Sequence, residues 1–103
     1  MLKTNNYLDK NYGEVKSVVA LVQVDTANSK AVFHIGVSRD AILKGNIIET
    51  KTLRMIFPRN VNPYEYAYTK AKEKVSFERY DENGNKEIVE VGGIFTGWED
   101  QKE

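Results

Sequence analysis

The chain has no cysteine, two prolines and a single histidine, and its formal net charge is zero. Without cysteine there can be no disulfides, thiolate metal sites or thiol nucleophiles. His34 has no spaced Asp/Glu set beside it, so no recognisable zinc site can be assembled. Its place in an apolar strand pattern gives it a structural role. No apolar run approaches the ~20 residues of a spanning helix. The start, MLKTNNYLDKNYG, has no apolar core and no small-residue cleavage site, so no secretory signal is read and a cytoplasmic location is expected. GGIFTG lacks the lysine, the following Ser/Thr and the helix start of a phosphate loop. DENGN lacks the glutamate spacing of a calcium loop. The C-terminal carboxylates follow a hairpin-surface pattern, and nothing places one in an apolar pocket where its pKa would rise. No catalytic, cofactor-binding or metal-binding residue is assigned, and an enzyme is not expected.

What is present is one domain's worth of ordinary globular sequence. The 103 residues are 41% hydrophobic, 29% charged and 11% aromatic, enough to bury a core unaided. The charges are unevenly spread. Residues 1–43 carry five basic and four acidic side chains, 44–79 eight and four, and 80–103 two and seven. The segments therefore stand at +1, +4 and −5. A basic middle beside an acidic end can mark an anion-binding face, or two solvated strips that neutralise each other after folding.

VKSVVALVQV (15–24) is β-branched, and its unbroken apolar run Val18–Val22 predicts a central strand buried on both faces. AVFHIGV (31–37) alternates with period two and should pair with it antiparallel across a loop of about six residues. Ser38 can cap a helical turn that Gly45 ends, with Ile42 and Leu43 turned inward. IIETKTLRMIFP resumes strand character, with Leu53, Met55 and Phe57 on one face and Arg54 and Ile56 on the other, until Pro58 stops it.

NVNPYEYAYTKAKEK (60–74) places three tyrosines at alternate positions, which would form a stacking platform only on a strand. Asn62, Pro63 and Glu65 instead supply an N-cap, a first helical residue and an acidic third position. A helix over about 63–73 puts Tyr64 and Tyr68 with Ala67 and Ala71 on the core side and Tyr66 with Lys70 and Glu73 outside. KVSFERYDENGNKEIVEVGG then predicts a hairpin of about 74–80 and 86–91 around Asn83-Gly84. Gly92-Gly93 permits a bend before IFTGW (94–98), read as a short edge strand.

These elements make an α+β domain: a mostly antiparallel sheet of about five strands with one short helix packed on a face. The whole chain, 1–103, is read as a single domain, with poorly ordered ends at 1–12 and 99–103. The expected core is Val18, Ala20, Val22, Phe33, Ile35, Leu53, Met55, Phe57, Tyr64, Tyr68, Val75, Phe77 and Val89. The expected function is a small non-enzymatic nucleic-acid-binding accessory or regulator. Arg54, Arg59, Lys70, Lys72 and Lys74 would engage phosphates and Tyr66 would stack on a base. The competing reading is a protein-binding module, a phage or plasmid factor acting on a host protein. It would use the acidic hairpin or the C-terminal edge strand through Tyr80, Asp81, Glu82, Phe95 and Trp98. A tryptophan placed like Trp98 more often closes a core than anchors an interface. No membrane partner is expected, and a homodimer through an edge at 94–98 is left open.

GEVKSVVALVQVD, VFHIGV and LRMIFPRN together resemble the septation-regulator SpoVG family, with a Gly-x-basic-Ala-rich first strand ending in Asp, a second carrying Phe and His, and a third ending in Met-Pro and a basic residue, where this chain has Phe57-Pro58-Arg59. The matching positions are Gly13, Lys16, Ala20, Asp25, Phe33, His34, Ile35, Val37, Phe57, Pro58 and Arg59. They span 13–59 with an insertion around 38–51. That family continues into a C-terminal helix, where this chain has the ERYDENGNKEI hairpin. The resemblance implies DNA and RNA binding by a small dimer. NYGEV and LRMIFPRNVNPYEYAY…KVSFERY are also similar to pieces of small conjugative-element proteins of unknown function, which implies a mobile-element source.

Overall fold

The computed structural model describes residues 1–9, 12–91 and 93–101, with the backbone alone described for 75–77 and 89–91. In chain order the described elements are β1 (Leu2–Asp9), β2 (Glu14–Asp25), β3 (Lys30–Gly36), α1 (Arg39–Leu43), β4 (Glu49–Arg54), α2 (Pro63–Lys72), β5 (Val75–Tyr80), β6 (Lys86–Val91) and β7 (Glu99–Asp100). The architecture is α+β. A five-stranded antiparallel sheet has the order β4-β3-β2-β1-β7, and β5 and β6 form a separate two-stranded sheet.

β2 is central, as its unbroken apolar run requires. Val18, Ala20 and Val22 face α2 and are buried, and Val19 is buried on the opposite face. That second face is covered locally by α1. Ser38 caps α1 by accepting from the Ala41 amide at 3.1 Å, and Ile42 turns inward. Opposite Val19 stands Gly36, where an added Cβ would lie 2.6 Å from Ile42 Cγ1. Leu43 is exposed rather than turned inward, because one short turn of helix can bury only one side. The β2–β3 turn is shorter than expected, occupying 26–29. Asp25 accepts from both the backbone and the side-chain amide of Asn28, at 3.2 and 2.8 Å.

The core lies between this sheet and α2. Asn62 Oδ1 caps the helix by accepting from the Tyr64 and Glu65 amides at 2.9 and 3.3 Å. Ala67, Tyr68 and Ala71 are buried against Val18, Ala20, Val22, Ala31, Phe33 and Ile35, with Leu53, Met55 and Phe57 partly buried at the edge. Tyr64 is 52% exposed and leaves the expected core. Val75, Phe77 and Val89 carry side chains outside the described set.

Four segments depart from the sequence reading. β4 ends at Arg54, short of Pro58, and the β5–β6 hairpin, counted among the strands of the one sheet, forms a sheet of its own. Leu2–Asp9, expected to be a loose end, pairs with β2, and Leu2 is wholly buried. IFTGW is a turn that carries the core residue Phe95, with Trp98 partly buried behind it, not an edge strand. Gly93 crosses the C-terminal end of α2 so closely that a Cβ would lie 2.6 Å from the Glu73 carbonyl oxygen. Thr96 Oγ1 donates to the Lys72 carbonyl at 2.9 Å. The crossing drops Phe95 beneath Phe33, with ring centroids 4.7 Å apart, and Trp98 packs edge-on against Phe95 at 4.8 Å. The outer strand that follows is β7, two residues paired with Leu2 and Lys3.

Candidate nucleic-acid interface

Three segments distant in sequence converge on one open groove of about 710 Å³, lined by Asn28, Ser29, Arg54, Met55, Ile56, Tyr66 and Lys70. The β2–β3 turn supplies Asn28 and Ser29, with Ser29 in the left-handed region at φ +51°. Its carbonyl accepts from the Met55 amide at 3.0 Å, fixing the turn to the chain leaving β4. Alternation along β4 sends Leu53 inward and Arg54 outward. Past the strand end, Ile56 stands 80% exposed beside the groove.

α2 supplies the other wall. Tyr66 lies on its outer side but is only partly free, since its ring packs edge-on against Phe57 with centroids 5.8 Å apart. Lys70 Nζ sits 5.8 Å from the centre of the Tyr66 ring and 3.1 Å from Glu73 Oε2. The hydrogen bond and charge of Glu73, with a smaller contribution from Tyr66, raise the Lys70 pKa above the ordinary lysine value. Lys70 is therefore a held cation, and an anion entering the groove must compete with Glu73. Arg54 has no ion-pair or hydrogen-bond partner among the described residues. It is the cation an entering phosphate meets without competition, and its planar fork suits a phosphate.

Of the six residues expected to bind nucleic acid, Arg54, Tyr66 and Lys70 line the groove. Lys72 turns the other way and pairs with Asp100 of β7. Arg59 and Lys74 are exposed outside the groove lining. Asn28, Ser29, Met55 and Ile56 were not anticipated; nothing in the sequence indicates which turn would land beside Arg54.

The alternative partner-binding set divides. Phe95 is wholly buried and Trp98 packs on it, so both belong to the core. Asp81 is occupied with the hairpin turn, its carboxylate accepting from the Asn83 and Asn85 amides at 2.9 and 2.8 Å. Gly84 takes φ +79° there, while Asn83 keeps a negative φ, so the turn spans 81–85 rather than a tight Asn-Gly pair. Tyr80 and Glu82 stay on the surface.

His34 lies on the sheet face away from α2, its ring nitrogens 3.4 Å from Thr50 Oγ1 and 3.5 Å from Gln23 Oε1. The α2-facing side carries a polar network that sequence reasoning missed. Tyr7 donates to Glu49 Oε2 at 2.6 Å, Lys51 pairs with Glu49 at 2.7 Å, and Lys16 pairs with the buried Asp9 at 2.8 Å. Burial, then the Glu49 hydrogen bond, pushes the Tyr7 pKa up to about 12. Its charges are matched internally, as in a structural network. Among the described residues no cluster of three or more His, Cys, Asp or Glu could hold a metal ion, and no helix is long and apolar enough to cross a membrane.

No protein-family model, curated protein or solved structure matches this chain.

Proposed function

We propose that this chain is a small non-enzymatic accessory protein that binds single-stranded nucleic acid in the Arg54–Tyr66–Lys70 groove. The observation that carries the reading is the convergence itself. Two cations and an aromatic ring, drawn from positions 54, 66 and 70, line one groove together with the apolar Met55 and Ile56. That combination suits a backbone phosphate beside an unstacked base, the mode used by sequence-tolerant single-strand binders. Duplex binding fits less well, because the chain as a whole is neutral and duplex binders are usually basic. The resemblance of residues 13–59 to the septation-regulator SpoVG family points the same way, and a mobile-element source is in keeping with the second likeness.

The groove also sets how steep the salt dependence should be. Two cations released from a single strand give a slope of about −1.4, so raising salt from about 50 to about 200 mM weakens binding about sevenfold. Fluorescence anisotropy with labelled single- and double-stranded oligonucleotides at those two salts tests the reading. Saturable single-strand binding with that modest salt dependence, lost in Arg54→Glu, is expected. Absence of binding at high micromolar protein overturns it.

A further inference from the structure

The β5–β6 hairpin is hydrogen-bonded to no strand of the main sheet. Among its described side chains, those of 78–88, none is buried. The radius of gyration, 15.9 Å, exceeds the ~13 Å of a compact domain of this length, in keeping with a projecting arm. An isolated two-stranded hairpin is marginal in water without something to pack on, and this one shows apolar side chains on its surface. Tyr80 is 69% and Ile88 73% exposed. The register pairs Tyr80 with Lys86 and Glu78 with Ile88, so all four lie on one face.

Charge identifies what can cover that face. Residues 75–91 carry Arg79 and Lys86 against Glu78, Asp81, Glu82, Glu87 and Glu90, a net of −3. The chain is neutral, so the remainder carries +3. Both basic residues of the arm are already committed, Arg79 to Glu87 at 2.9 Å and Lys86 to Glu78 at 2.8 Å. Glu82, at the tip, has no described partner. Two arms therefore repel one another, whereas an arm and the body of another copy attract. On the body, the groove offers side by side an exposed isoleucine, Ile56, and an arginine with no partner among the described residues, Arg54.

We propose that the arm of one copy seats in the groove of a second copy. Tyr80 and Ile88 lie on Met55 and Ile56, and the acidic tip at Glu82 approaches Arg54. Exchange of arms about a two-fold axis satisfies both copies at once, which closes the assembly as a dimer. Each strand of the arm, six residues long, reaches about 20 Å, enough to lie across a neighbour. The proposal adds regulation to the groove read above as the nucleic-acid site, because an arm in the groove excludes a strand from it.

Sedimentation equilibrium of the full chain at low salt tests this. The wild type is expected to dimerise, and Glu82→Lys and Arg54→Glu should each weaken dimerisation at least about tenfold, with the double variant restoring it by charge exchange. Ile88→Ser should weaken it too, with far-UV circular dichroism confirming that the fold is kept. A chain that is monomeric at high micromolar concentration, or a dimer indifferent to all these substitutions, overturns the proposal. The nucleic-acid reading fails separately: a dimer with this mutational pattern that binds no oligonucleotide removes that reading and leaves the arm exchange standing. In the reverse case, Glu82→Lys binding oligonucleotide no better than the wild type overturns the regulatory part.

Discussion

The Tyr68 hydroxyl accepts a hydrogen bond from the Val22 amide at 3.0 Å, inside the core. β1 pairs with β2 only as far as Leu2 opposite Ala20, so beyond that point β2 has lost its neighbour on one side. Val22 would bury an unsatisfied N–H there. A side chain from α2 takes the place of the missing strand, which fixes the helix on the sheet and so positions Tyr66 and Lys70 two residues to either side.

Tyr68→Phe keeps the ring against Phe33 and removes the hydroxyl that accepts from Val22. Leaving the buried amide unsatisfied should cost about 1–3 kcal/mol. Urea denaturation should show that loss with an unchanged denaturant dependence, and an unchanged midpoint would show that the bond contributes nothing.

Tyr7 gives a pH signature. Its pKa is raised to about 12 from the ordinary tyrosine value of 10.0, so the folded state holds a proton that the unfolded chain releases earlier. Its contribution to stability is complete below pH 10 and is lost as pH climbs toward 12. Thermal melts from pH 9 to 12 should fall more steeply for the wild type than for Tyr7→Phe, which has no proton to lose. Parallel curves would contradict the raised pKa that burial and then the Glu49 hydrogen bond give this tyrosine.

Glu73 competes with any anion for Lys70. Glu73→Gln should therefore tighten oligonucleotide binding in the anisotropy titration, by up to about fivefold for so exposed a pair. Weaker binding would place Lys70 outside the binding surface.

Local signals in the sequence were legible where the physics is local. Asn62-Pro63-x-Glu65 marks the start of α2, Ser38 that of α1, and the β5–β6 hairpin is bounded by its turn. β1 was not legible because LKTNNYLD has two adjacent asparagines and no steady alternation. Its register with β2 shifts between Thr4 and Tyr7, so only its long-range partner defines it. Tyr64 shares a helical stripe with Tyr68, yet it lies one turn nearer the N-terminus and is half exposed. The groove and the Tyr7–Glu49 bond join residues 42 or fewer positions apart through the sheet and helix packing. Spacing along the chain cannot indicate such meetings.

The central claim is that one groove, and not the basic segment as a whole, is the binding surface. An amide chemical-shift titration of the isotope-labelled chain with a short single-stranded oligonucleotide tests it residue by residue. The perturbed amides are expected to cluster at Asn28, Ser29, Arg54, Met55, Ile56, Tyr66 and Lys70, with Arg59 and Lys74 little changed. Perturbations centred on Arg59 and Lys74, or on the outer sheet face around His34, would contradict it.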